Sequence, residues 1–260
     1  MQITDDLQRI FQLVESPQRI ISLVPSLTEL LFDLGLGDRI VGVTKFCIHP
    51  AQVQQTVKRV GGTKKFDFEK IEALQPDLII ANKEENYRAG VEQLCEKYPV
   101  YISDIFELKD ALRTIENIGV MTGTEALALP MIEQIQQSFD EVKGKLQGEV
   151  LYFIWQQPDM VVATDNFIDD VLQWLGLDNA VAHLTRYPEL SEETLAKLSP
   201  NYVFLSSEPY PFKERHISRF QSLFPNAEVL LVDGEMFSWY GSRLIHSPKY
   251  FMSLPVSRRR

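Results

Sequence analysis

Short apolar runs alternate with amphipathic stretches along most of this chain. RIISLV (19–24), IVGV (40–43), DLIIA (77–81) and VYIS (100–103) are brief and rich in β-branched residues, which predicts buried strands. Between the first two, Leu27, Leu30, Leu31 and Leu34 recur at helical spacing, with Ser26 or Thr28 as the cap and Gly35 and Gly37 as the stop. Helices are also predicted over 68–75, 88–97 and 107–122, and the weak alternation of 3–18 predicts an edge hairpin before Pro17. The pattern resumes with strands over 149–155 and 160–163, a helix over 166–175 ending at Gly176, strands over 202–206 and 228–233, and a last helix holding Leu244, Ile245, Tyr250 and Phe251. Such alternation predicts an α/β protein with mostly parallel sheets, whose ligand loops lie beyond the strands' carboxyl ends. In the first half those loops are VPSLTE, TKFCIHP, NKEEN and SDIF.

The stretch 124–146 differs. Ile132, Ile135, Phe139, Val142 and Leu146 recur at spacings of three and four, which predicts one amphipathic helix of several turns, with Pro130 in its first turn or kinking it. At ~1.5 Å per residue it spans roughly 25–35 Å, a stiff connector that limits lobe motion to small rocking.

On either side of it the sequence repeats. FDFEKIEALQPDLII (66–80) matches LSEETLAKLSPNYVF (190–204), pairing Glu69, Leu74, Pro76 and Asp77 with Glu193, Leu198, Pro200 and Asn201. LLFDLGL (30–36) likewise matches VLQWLGL (171–177). Two copies are too few for a solenoid. The reading is two similar lobes, over 1–122 and 148–260, joined by a helical region over 123–147, with a small-molecule cleft between the lobes.

Composition narrows the function classes. A net charge of −10 argues against nucleic acid as a partner. No window approaches 18 uninterrupted apolar residues, so no direct membrane insertion is expected. No basic and apolar leader follows Met1, which gives a cytoplasmic location if Met1 is the native start. Two cysteines make no disulfide framework; Cys95 reads as a core thiol. The nucleophile-elbow, P-loop, zincin and dinucleotide fingerprints are absent, so an enzyme is not expected. Cys47 and His49 form a C-x-H pair in a carboxyl-end loop, a candidate metal site to which His183 adds a third donor; a plain hydrogen-bonding role for His49 is the alternative. In NKEEN, Lys83, Glu84 and Glu85 are candidate ligand contacts, against a solvated loop capping the next helix through Asn86.

RIISLVPSLTELLFDLGLGDRIVGV followed by GGTKKFDFEKIEALQPDLIIA resembles the class III substrate-binding proteins of ABC importers, the receptors for cobalamin, haem, ferric siderophores and metal chelates. The resemblance covers about 17–255 and is strongest to the cobalamin-binding proteins. It implies non-catalytic binding of a metal-containing chelate, corrinoid first and then haem or ferric siderophore, by a monomer with no intrinsic cofactor. It also implies that Glu69 and Glu193 dock onto arginines of a membrane permease; their other reading is as helix N-terminal acids stabilised by the macrodipole. The ligand-facing aromatics of those receptors map onto Phe46 and Tyr187, with Thr63 standing where the cobalamin receptor has tryptophan. Trp239 and Tyr240 stand where it has an arginine and a small residue, and Arg243 lies near a family arginine. Phe46, Trp155, Tyr187, Trp239 and Tyr240 are expected to line a flat cleft, with Lys45, Arg243 and the NKEEN residues as polar anchors. The resemblance also implies a periplasmic or cell-surface location. The rival from another class is a cytoplasmic metal- or cofactor-dependent enzyme or metallochaperone reusing the fold.

Overall fold

The computed structural model describes residues 1–259 and separates into two compact units. The first comprises residues 1–105, 109–134 and 240–243; the second comprises 106–108, 135–239 and 244–260. The long helix predicted for the middle of the chain therefore contributes to both, and a four-residue segment near the end of the chain returns to the first.

The first unit opens with an antiparallel hairpin, β1 (Gln2–Thr4) and β2 (Ile10–Gln12). It forms its own two-stranded sheet, so it is a hairpin as expected but not an edge of the main sheet. Then come β3 (Ile20–Ser22), α1 (Pro25–Asp33), β4 (Ile40–Val43), α2 (Val53–Thr56) and β5 (Lys58–Arg59). A small hairpin of β6 (Gly61–Gly62) and β7 (Lys65–Phe66) leads to α3 (Phe68–Leu74), β8 (Leu78–Asn82), α4 (Arg88–Cys95), β9 (Val100–Ser103), α5 (Leu108–Thr122) and α6 (Glu125–Val142). The main sheet has the order β5-β4-β3-β8-β9 and every pairing is parallel. The order reverses at β3, so the crevice beyond its carboxyl end is the place where such sheets receive ligands. Ile21, Leu23, Ile71, Ile79 and Ala81, all fully buried, anchor the core on one face. Gly42 lets α3 close on β4, because a Cβ there would stand 2.8 Å from Leu74 and 3.0 Å from Val60.

The second unit contains β10 (Glu149–Trp155), β11 (Met160–Val161), α7 (Phe167–Leu175), β12 (Asp178–Asn179) and α8 (Glu192–Leu195). These are followed by β13 (Tyr202–Ser206), α9 (Glu214–Leu223), β14 (Glu228–Val232), α10 (Gly234–Ser238) and α11 (Ser247–Phe251). Its sheet runs β11-β10-β13-β14 with β12 also on β10; β11 alone is antiparallel. Leu151, Phe153, Val203, Leu205 and Phe220, each fully buried, form its core.

The sequence repeat is a structural repeat. Leu34-Gly35-Leu36 and Leu175-Gly176-Leu177 both close a helix with glycine in the left-handed region, at φ 74° and 90°. In each the second leucine's N–H reaches back five residues, Leu36 to Leu31 and Leu177 to Leu172, the double-bonded helix stop that glycine permits. Asp67 caps α3 by accepting from the Lys70 N–H, and Ser191 caps α8 by accepting from the Thr194 N–H. That makes Glu69 and Glu193 the second helical residue of equivalent helices.

Several local expectations need correction. Neither Ser26 nor Thr28 caps α1: Pro25 takes the first helical position and both residues lie inside the helix. Pro130 sits in the interior of α6, beyond its first turn. The last predicted helix is broken into a 3-10 turn over Ser242–Ile245 and α11, since Pro248 has no N–H to continue the ladder.

Candidate ligand site

In the first unit the loops beyond β4 and β8 flank the switch point at β3, and the β6–β7 hairpin knits them together. The Lys45 N–H donates to the Gly61 carbonyl at 2.8 Å, and the Asn86 amide donates to the Leu23 and Thr63 carbonyls at 3.1 Å each. Asn86 also accepts from the Asn82 N–H, while Asn82 accepts from the N–H groups of Glu84 and Glu85. The two buried asparagines thus satisfy the turn that presents Lys83, Glu84 and Glu85. Lys83 pairs with Asp104 at 2.5 Å.

Phe46 stands on this surface 51% exposed, with the Lys45 ammonium 4.9 Å from its ring centroid and Gly62 close beside it. Thr63 is half-buried at the tip of the hairpin. Tyr240 and Arg243 belong to the segment that returns to this unit. Tyr240 is buried and its hydroxyl donates to Glu85 at 2.7 Å; Arg243 holds Glu29 of α1 through two bonds of 2.9 and 2.7 Å. A planar, two-bonded guanidinium–carboxylate pair fixes geometry strongly. Both residues are therefore engaged in holding the loops. Glu85 was expected only as a ligand contact and Glu29 not at all; neither pairing leaves a local pattern, because the contacts bridge 214 residues for Glu29 and 155 for Glu85.

In the second unit Trp155 ends β10, 38% exposed, and packs edge-on against Tyr210 at 5.4 Å between centroids. Tyr210 follows β13 in the segment SSEPYPF, and its position beyond a strand's carboxyl end was the signal available for it. Tyr187 is half-buried with the Arg186 guanidinium 5.4 Å from its ring. Trp239 does not line an open surface. It is 7% exposed and its indole N–H donates to Glu208 at 2.8 Å, where Ser238 donates as well at 2.9 Å. Burial pushes the Glu208 carboxyl above its ordinary range, against the two hydrogen bonds that favour its charged form.

Cys47 and His49 do not build a metal site. Cys47 is fully buried, with the Thr28 and Thr44 hydroxyls at 3.1 and 3.2 Å from its sulfur. Burial pushes its thiol up, which disfavours the thiolate a metal requires. His183 is exposed. No group of three or more His, Cys, Asp or Glu among the described residues is arranged to hold a metal ion. Cys95 is only partly buried and accepts from the Arg9 guanidinium at 2.6 Å, so it is not a plain core thiol. Glu69 and Glu193 are both exposed; Glu193 pairs with Lys197 at 2.8 Å.

Among the described residues, no helix is long and apolar enough to cross a membrane. The chain is 28% identical over 201 residues to an ABC transporter substrate-binding lipoprotein of Bacillus subtilis, an overlap of 73% of this chain and 63% of that protein. It is 28% identical over 198 residues to a vitamin B12-binding protein of Vibrio parahaemolyticus, covering 74% and 72% of the two chains. Among solved structures, the periplasmic vitamin B12-binding protein of Vibrio cholerae superposes with a TM-score of 0.78 at 22% identity, covering 90% and 94%. A periplasmic haem-binding protein of Pseudomonas aeruginosa gives 0.76 at 21%, covering 94% and 98%. All four are named as binding proteins, one as a lipoprotein and the two solved structures as periplasmic; none of the names supports a cytoplasmic location. The sequence profile of the periplasmic binding protein family matches residues 20–224, most of the chain, and the chain belongs to that family.

Proposed function

We propose that this chain captures a metal-containing chelate without transforming it, a corrinoid first and then haem or a ferric siderophore, and delivers it to an ABC importer. The observation that carries the reading is that each unit presents exposed aromatic side chains at the carboxyl ends of its parallel strands. Phe46 stands beside the switch point of the first unit and Trp155 with Tyr210 at the end of β10 in the second. Aromatic faces give a flat macrocycle a large contact area at little cost in rotamer freedom. The vitamin B12-binding relatives support ranking the corrinoid first. Thr63, Tyr187, Lys83 and Glu84 complete the surfaces assigned to the ligand. Tyr240 and Arg243 act by holding Glu85 and Glu29 in place. Glu69 and Glu193, exposed at equivalent helix starts, are assigned to a permease, and the work is placed outside the cytoplasmic membrane, as in the relatives. Absorption titrations with cyanocobalamin, haemin and a ferric siderophore test the reading. Saturable spectral change with one of them supports it, and no saturable change with any rejects it.

A further inference from the structure

The surface around Phe46 is cationic on a chain that is acidic. The three loops that meet there, 44–50, 61–66 and 82–86, carry Lys45, Lys64, Lys65 and Lys83 against only Glu84 and Glu85, although the net charge of the chain is −10. Two of the four lysines have partners that leave their charge uncompensated. The Lys45 ammonium lies over the Phe46 ring, 4.9 Å from its centroid, and the Lys64 ammonium donates to the Glu84 backbone carbonyl at 2.7 Å. A ring face and a carbonyl are both neutral, and neither lysine makes an ion pair among the described residues. Their backbones are nevertheless fixed. Lys45 N–H is bonded to Gly61, and the hairpin tip carrying Lys64 is tied to Asn86 through the Thr63 carbonyl. Gly62 packs beside both side chains, its Cβ position 3.5 Å from Phe46 and 3.6 Å from Lys45. The result is one exposed aromatic ring with an ammonium over it and a second ammonium fixed where the neighbouring hairpin meets the 82–86 loop.

We infer that the bound chelate carries ionised acid groups on its edge, and that Lys45 and Lys64 select for them while Phe46 takes the flat face. The inference rests on the chelate-binding reading and narrows it within each class, to a corrinoid that keeps side-chain carboxylates over cyanocobalamin and to haem over its ester. An aromatic surface alone has no preference between these two edges; ammonium groups on the loops around it do.

The test pairs ligands that share a ring and differ at the edge. The full-length protein is titrated with haemin and with haemin dimethyl ester, and separately with cyanocobalamin and a corrin whose side-chain amides are hydrolysed to carboxylates. The acid form of at least one pair is expected to bind about 10-fold more tightly than its neutral form, the size expected of two partly solvated charge contacts. That ratio should shrink with added salt, collapse in the Lys45→Ala, Lys64→Ala double variant, and return in Lys45→Arg, Lys64→Arg. Equal affinity for acid and neutral forms, or a preference that survives in the folded double alanine variant, overturns the inference and leaves chelate binding standing. No binding by any of the four overturns both.

Discussion

Replacing Phe46 by alanine separates a ligand platform from a core side chain. A phenylalanine presents about 200 Å² of surface. With 51% of it exposed, roughly 100 Å² remains for a ligand to cover. At about 25 cal/mol per Å², full coverage is worth up to about 2.5 kcal/mol, or close to 60-fold in affinity. The same substitution removes only the part of the ring that already packs, so its stability cost is about 1–2 kcal/mol. Phe153→Ala supplies the contrast. That ring is fully buried between Phe220 and Phe224, and its loss should cost about 3–5 kcal/mol. The assay is tryptophan fluorescence quenching by cyanocobalamin or haemin, with thermal melts of both variants. At about 2–4 °C per kcal/mol for a chain of this size, the two melts are readily told apart. A folded Phe46→Ala protein whose affinity stays within about twofold of the parent refutes the platform.

Three further outcomes follow from the geometry. Cys47 should be inert to thiol reagents in the native protein and should react only on unfolding, because its sulfur is fully buried against Thr28 and Thr44; stoichiometric native labelling at Cys47, read by peptide mass mapping, contradicts this. Glu208→Gln keeps an acceptor for Trp239 and Ser238 and removes the charge. Because burial holds the folded carboxyl above the ordinary carboxylate range, the native state holds the proton longer than the unfolded chain, and stability is lost as pH rises from that range through the folded value. The stability of Glu208→Gln relative to the parent should therefore grow over that window and then level off, and a pH-independent difference in melting temperature rejects the assignment. Exchanging Glu69 and Glu193 together for arginine should abolish capture of a membrane permease while leaving ligand affinity unchanged. The stability cost should stay near 0.3–1 kcal/mol per site from the helix-start interaction, plus at most a few tenths for the exposed Glu193–Lys197 pair. Retained capture places docking elsewhere.

The longer strands of both main sheets, the long α6 and the paired Leu-Gly-Leu helix stops were legible because each follows from local periodicity or from a glycine at a left-handed position; the two-residue strands β5, β6, β7 and β12 are too short to show a period. The repeat was legible for the same reason, and it led directly to the equivalence of Glu69 and Glu193. Elements with weak apolar content were not. In ERHISRFQSL only His216 and Phe220 are buried, so α9 has a narrow apolar stripe, and α10 begins at a glycine that reads as a loop. The site was harder still. Trp239 lies among serines and glycines, a setting that suggests exposure, yet its ring is buried because Glu208 accepts its N–H across 31 residues. Tyr240 and Arg243 are engaged in the same way by Glu85 and Glu29. Cys47 sits in a loop with a C-x-H pattern, but its side chain turns inward to Thr28. Partners so far away in sequence leave no local pattern. Phe46 was singled out through the family resemblance, and it and Trp155 both lie at or beyond the carboxyl end of a strand, the ligand face of a parallel sheet.

Non-covalent capture of a chelate that leaves as it entered separates a binding protein from an enzyme on this fold. Equilibrium dialysis of the full-length protein against cyanocobalamin, haemin and a ferric siderophore, followed by release and chemical analysis of the retained compound, tests it most directly. Saturable retention of one equivalent, released unchanged on denaturation, is the predicted result. No retention of any of the three, or recovery of a chemically altered product, would contradict it.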